Sequence, residues 1–238
     1  MKQLALAAGF FGLFALGVGC ANAEGLTGQY LAAVNFSAEG HIAPSMNNRL
    51  TANYAPAWMP GNFDVKLFDQ YVENSFHGTN DTLVRERKFE AQVNFNYPIT
   101  EALSATIGML RHTNSTFRDN YNWAIAGIVW NGEIASNTNL TTGLLVEKRI
   151  SGGRLFFDTS ATIEHRFQEK LGVFAAAHLY ENFGEFDTSP SRKREYEVGV
   201  NYYPSARYVL GLSYFNHTQV GDPTDRFSMV KIKAGINF

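Results

Sequence analysis

Along most of this chain, apolar and polar residues alternate one for one. The stretch "VKIKAGINF" (Val230–Phe238) shows it plainly. Val230, Ile232, Ala234, Ile236 and Phe238 fall on one side of an extended strand; Lys231, Lys233, Gly235 and Asn237 fall on the other. The same rhythm predicts twelve strands: Leu26–Phe36, Asn48–Trp58, Phe63–Glu73, Leu83–Tyr97, Ala102–Asn114, Tyr121–Trp130, Asn139–Ile150, Arg154–Phe167, Lys170–Asn182, Arg194–Tyr203, Arg207–His217 and Phe227–Phe238. No domain linker, low-complexity segment or longer repeat interrupts them.

Every strand has two faces. In the fourth, Phe89, Ala91, Val93, Phe95 and Tyr97 oppose Glu90, Gln92, Asn94 and Asn96. In the eighth, Leu155, Phe157, Thr159, Ala161, Ile163 and Phe167 oppose Asp158, Ser160, Thr162, Glu164 and Arg166. In the ninth, Leu171, Val173, Ala175, Ala177 and Leu179 oppose His178 and Tyr180. Such faces suit a soluble sandwich, with the apolar sides packed together, or a membrane barrel with the apolar side in lipid and the polar side in a wet lumen.

The connections separate the two. "MPGN", "PITE", "QE" and "PSA" follow even-numbered strands, whereas "SAEGHIAPSMNN", "NSFHGTNDT", "STFRDN", "GEFDTSPSRK" and "TQVGDPTD" follow odd ones. "NGEIASNT" after the sixth strand and "SGG" after the seventh depart from this pattern. Tight turns on one rim and long loops on the other are the outer-membrane arrangement, with the short turns periplasmic. The expected fold class is therefore all-β, a transmembrane antiparallel up-and-down β-barrel of about twelve strands. Its last strand closes on its first, which leaves no free edge.

The N-terminal segment supports this. "MKQLALAAGFFGLFALGVGCANA" carries one charge, Lys2, then an apolar run too short to span a membrane as a helix, then Ala21-Asn22-Ala23. Residues 1–23 are thus expected to be a signal peptide and residues 24–238 the barrel. Cys20 opens a lipidation reading, against which Gly17 stands where such sites carry a branched aliphatic. Cleavage after Ala23 would remove the sole cysteine and, with Lys2, shift the formal charge from −2 to −3. No disulfide framework and no nucleic-acid partner is expected from such a chain. Mean hydropathy is −0.19 despite 45% hydrophobic residues, as alternating strands require.

Aromatic residues sort by height. Trp58, Phe63, Tyr97, Phe167, Tyr202, Tyr208 and Phe238 fall beside the short turns; Phe36, Tyr71, Phe89, Tyr121, Phe157 and Phe227 fall toward the loops. Two interfacial girdles are the expected outcome. The polar faces then supply the candidate pore lining: basic Arg49, Lys66, Lys88, Arg149, Arg166, Arg207, Lys231 and Lys233, acidic Asp64, Glu90, Glu147, Asp158, Glu164, Glu195 and Glu197, with Asn94 and His178. Lys231 and Lys233 are expected to line the lumen, Lys233 near mid-membrane, with Glu90 as their acidic opponent. Such charges can steer solutes, or pair across strands and plug the barrel.

"QVNFNYPITEALSATIGMLRHTNS" (Gln92–Ser115) resembles the middle of the oligogalacturonate-specific porin family in its "VNF" strand, its turn, and "GML" followed by His112 and Ser115; Arg49-Leu50 fits as well. The resemblance implies a monomeric twelve-stranded channel for acidic sugars, with opposing basic side chains in the pore. By position Arg49, Lys66, Arg149, Arg166, Lys231 and Lys233 are the candidates for that role, and the acidic residues above depart from an anion-selective wall. The terminal Phe238 resembles the signal by which barrel-assembly machinery recognises its clients. The expected setting is the outer membrane of a Gram-negative bacterium, with outer-membrane lipid, lipopolysaccharide and a small hydrophilic solute as partners and no cofactor. Two rivals remain. A barrel lipid hydrolase would use a His-x-Ser pair, but Ser115 is three residues from His112, on the opposite face of a strand. A structural or adhesive barrel would act through its loops. No His, Cys or Asp cluster has metal spacing, and "GLTG" and "SGG" read as turns.

Overall fold

The computed structural model describes residues 25–37, 45–75, 83–114, 119–150, 155–182, 192–220 and 226–238. They form twelve strands: β1 Leu26–Ser37, β2 Ser45–Tyr54, β3 Asn62–Ser75, β4 Leu83–Pro98, β5 Leu103–Asn114, β6 Asp119–Ala135, β7 Thr138–Arg149, β8 Leu155–Phe167, β9 Leu171–Asn182, β10 Arg192–Ser205, β11 Tyr208–Val220 and β12 Arg226–Asn237. Each pairs antiparallel with its chain neighbours, and β1 pairs with β12 to close the barrel. The seam is made by reciprocal backbone bonds, Gly28 N–H to Phe238 O (2.7 Å) and Phe238 N–H to Gly28 O (2.9 Å). The residues expected to be the signal peptide lie outside the described set, as do the six odd-numbered connections.

All five short turns lie on one rim. The turn after β6 corrects the expectation of a long loop there. "NGEIASNT" mostly extends β6 to Ala135, and only Ser136 and Asn137 turn the chain. Asn137 takes φ of 60°, and its N–H is held by the Glu133 carboxylate at 2.8 Å. The second strand is also displaced: it begins at Ser45 and ends at Tyr54, so Trp58 sits in the turn, 79% exposed. Pro56 and Pro60 account for the early end, since proline cannot donate to a ladder.

The register records the strand tilt. A row of directly opposed residues starts at Tyr54, the last of β2, and passes through Phe63, Phe95, Ile107, Ala126 and Val146 to Phe157, the third residue of β8. Six steps across the sheet thus climb from one rim nearly to the other, as tilted barrel strands do.

Alternation decides what faces out. Along β10, exposure alternates residue by residue from Glu195 to Tyr203, with Tyr196, Val198, Val200 and Tyr202 exposed. Val93, Ile107, Met109, Leu144, Leu210, Leu212 and Ile232 belong to the same outer surface, between about 45% and 65% exposed. Some outward polar groups at the long-loop end satisfy one another. The Arg87 guanidinium grips both oxygens of Asp69 (2.8 and 3.1 Å), and the Tyr30 hydroxyl donates to Asn48. Two aromatics assigned to the loop-side girdle turn inward instead. Tyr121 lies under Arg149, and Phe227 stacks on His217 at 4.6 Å. Both sit on the inward parity of their strands, so the rule that lumen positions are polar fails at these two sites.

Candidate pore lining

The inner wall is built from the residues opposite the exposed apolar rows. Arg49, Lys66, Glu90, Asn94, Arg149, Asp158, Glu164, Arg166, His178, Glu197, Lys231 and Lys233 all occupy this parity, as the pairing of Arg49 with Leu31, Lys66 with Gln92, and Glu164 with Phe174 shows. Arg207 does not stand on the wall. It lies exposed in the turn between β10 and β11, because β11 starts one residue later than the alternation suggested. Asn94 is only 3% exposed, packed into the wall beside Gly108 and accepting a bond from Gln92.

Lys231 and Lys233 share one carboxylate. Their ammonium groups reach Glu197 at 2.8 and 3.1 Å, and the Ser213 hydroxyl donates to the same side chain at 2.7 Å. Their expected opponent, Glu90, is bound elsewhere: it meets His112 Nδ1 at 2.9 Å on the adjoining strand. Register explains the exchange. Lys231 opposes Ser213 on β11, and Ser213 is next to Gly199 and Glu197 on β10, whereas β4 lies a third of the way round the ring. Gly199 leaves the room this cluster needs, since a Cβ there would come within 2.8 Å of the Phe174 ring.

A feature absent from the sequence reading runs through the lumen. Five inward cations each lie over an aromatic face. Arg149 is 3.5 Å from the Tyr121 centroid, Lys231 3.6 Å from Phe215, Lys233 4.2 Å from Phe174, Arg166 4.5 Å from Tyr203 and Arg49 5.8 Å from Phe68. Arg149 ends β7 at the long-loop rim and Arg166 is next to last in β8 at the short-turn rim, so the set extends from one mouth to the other. The signal lay in aromatics standing at polar parity, Phe68, Phe174 and Phe215 among them.

Carboxylates gather on one side of the ring, with Arg149 and Arg166 among them and Asp64 and Glu90 on the other side. On β7 to β11, the Tyr180 hydroxyl bonds Glu147 at 2.8 Å. His178 joins Asp158 (2.5 Å) to Glu195 (3.3 Å), and His217 meets Glu195 at 3.0 Å. On β2 and β3, half a turn away, Arg49 and Lys66 have no carboxylate partner among the described residues. Arg149 keeps an Nε donor that is buried and without a hydrogen-bond partner. Near the short-turn rim, Glu164 accepts from the Tyr203 hydroxyl at 2.5 Å and lies 3.5 Å from Arg166. Not all of the interior is polar. Trp123, Ile125, Phe156, Val209 and Met229 are buried inward, and Phe156 stacks on Tyr180 at 4.7 Å.

Among the described residues, neither His112 nor His178 is paired with a hydroxyl nucleophile; a histidine meets a hydroxyl at His165 and Thr138, 2.8 Å apart beside a short turn. His112 faces the lumen and is bonded to Glu90, while Ser115 lies outside the described residues. Both ring nitrogens of His178 are taken by carboxylates, so Ser160, directly opposite it, meets no ring nitrogen free to take its proton. No group of three metal-ligating side chains converges among the described residues.

No family model and no curated protein matches the sequence. Solved structures do match. A KdgM porin aligns with TM-score 0.54 and 10% identity, over 89% of this chain and 99% of its own. A NanC porin aligns with TM-score 0.56 and 10% identity, over 89% and 98%. LpxR from Salmonella typhimurium aligns with TM-score 0.55 and 11% identity, over 88% and 99%. At such identities the likeness concerns the chain path, and what it establishes is a twelve-stranded barrel of the outer-membrane type.

Proposed function

We propose that this chain is a porin of the Gram-negative outer membrane that passes small hydrophilic solutes, oligosaccharides and anions among them. The observation that carries the reading is the series of cations laid on aromatic faces from mouth to mouth. An aromatic face stacks on the C–H side of a sugar ring, and a guanidinium or ammonium beside it takes a carboxylate or hydroxyl. Arg49 and Lys66, without a carboxylate partner among the described residues, stand across the ring from Glu147, Asp158 and Glu195, so a passing solute meets a transverse field. The porins among the structural neighbours agree with this class. The signal peptide at residues 1–23 and recognition of the Phe238 strand by assembly machinery belong to the same proposal.

Planar-bilayer recording of the refolded barrel is the test. Steady single-channel conductance, with current noise on adding an acidic oligosaccharide, is the expected result. A sealed bilayer would leave the salt-bridged plug instead. The enzyme reading rests on His112, the histidine of the hydrolase rival; fatty-acid release from outer-membrane lipid by the purified barrel, lost in His112→Ala, would replace the porin reading.

A further inference from the structure

At the long-loop end of the outer surface, cationic side chains are of two kinds. Arg87 is clasped by Asp69, and Arg192 lies 3.5 Å from Glu181. Arg111 and Lys148 are different. Both are exposed, and both stand on outward parity, Arg111 beside Ala91 and Lys148 beside Ala124 and Leu155. Neither has a carboxylate partner among the described residues. Among the described residues, the polar contact Arg111 makes is with Asn122 Oδ1, at 3.2 Å.

Asn122 opposes Arg111 on β6, and Lys148 stands diagonally from it on β7. The tilt brings the pair level. Arg111 is eight residues along β5 from Leu103 and Lys148 six along β7 from Thr142, and Leu103 and Thr142 both oppose Trp130. Each partner step toward β7 climbs, which offsets the shorter run, so both cations stand roughly 15–20 Å above Trp130, near the upper edge of a ~25 Å apolar band. Below them the wall is Met109, Ile107, Ala124, Ala126, Leu144 and Val146, suited to acyl chains.

We infer that Arg111, Asn122 and Lys148 form a binding site on the lipid-facing wall for the phosphorylated headgroup of an outer-leaflet glycolipid, whose acyl chains lie along β5 to β7. Two cations without a carboxylate partner at the level of a headgroup, above an apolar strip, favour an anion between them, and a membrane-embedded phosphate supplies it. The outward pairs Arg87–Asp69 and Arg192–Glu181 carry their own counter-charge and need none. The site lies outside the lumen, so it depends on membrane placement and not on whether the pore conducts.

The test uses the refolded full barrel in detergent, incubated with bisphosphorylated lipid A or with the same lipid dephosphorylated, and retained lipid is read by native mass spectrometry. The expected result is retention of the bisphosphorylated form only. Retention weakens roughly tenfold or more in Arg111→Gln/Lys148→Gln, as loss of two charge-assisted bonds predicts, and is unchanged in Arg192→Gln. Equal retention of both lipids by the native barrel, or equal retention by the folded double variant, overturns the site. If the double variant does not fold, the native barrel's choice between the two lipids decides.

Discussion

At the scale of single residues, the cluster of Lys231, Lys233 and Glu197 makes a quantitative claim. Two ammonium groups share one carboxylate, so the cluster carries one uncompensated positive charge. Glu197→Gln raises that excess and is expected to move the reversal potential in a salt gradient toward anions. Lys231→Gln with Lys233→Gln reverses the sign and moves it toward cations. One charge close to the ion path in a wet pore is worth about 1 kcal/mol or less, or roughly 2–5-fold in permeability ratio. Unchanged potentials in open channels would make the trio a wall brace. The lysines' inward position was legible from alternation, but their partner was not. Glu90 and Glu197 have the same parity, and only the order of strands around the ring, which no period-2 pattern encodes, separates them. The aromatics beneath the cations were missed for another reason. Assigning faces by polarity treats the lumen as water, whereas this lumen has aromatic walls at Phe68, Phe174 and Phe215.

At the scale of elements, all twelve strands were legible, because apolar and polar residues alternate along most of each. Errors gathered at strand ends, where the pattern does not speak. Polar Asn131 and Glu133 near the end of β6 read as loop, yet they sit at inward positions where polar residues belong. The turn between β8 and β9 is the strained one. Gln168 and Glu169 both take positive φ, 51° and 60°, a conformation that side-chain-bearing residues enter at a cost. Replacing them by Asn and Gly, which enter positive φ at less cost, is expected to raise stability by about 1–2 kcal/mol. Urea titration of the barrel in lipid vesicles would show it, and an unchanged midpoint would mean the strain is absorbed elsewhere.

At the scale of the whole molecule, the barrel is turned inside out relative to a soluble protein, and substitutions should obey that inversion. Ile232→Arg and Val93→Arg place a charge in hydrocarbon and are expected to cost roughly 2–4 kcal/mol near the midplane. Thr141→Arg, inward and exposed, should cost far less. Asn94, inward but packed into the wall, is no neutral comparator. Equal costs on both faces in refolding titrations would invert the assignment of the two surfaces.

The reciprocal bonds between Gly28 and Phe238 also say something about time. Eleven of the twelve ladders join strands adjacent in the chain and can form as hairpins, one after another. The twelfth brings Gln29 to Asn237 across 208 positions. Closing a loop of that length costs only ~2–3 kcal/mol more entropy than closing a hairpin, so the seam is cheap at equilibrium, but it must wait for every other strand. Until then the molecule is an open sheet with β1 and β12 as bare edges, each a template for a foreign strand. The hazardous moment in this protein's life therefore falls at the end of assembly, when almost all of its structure exists and its two free edges have yet to meet.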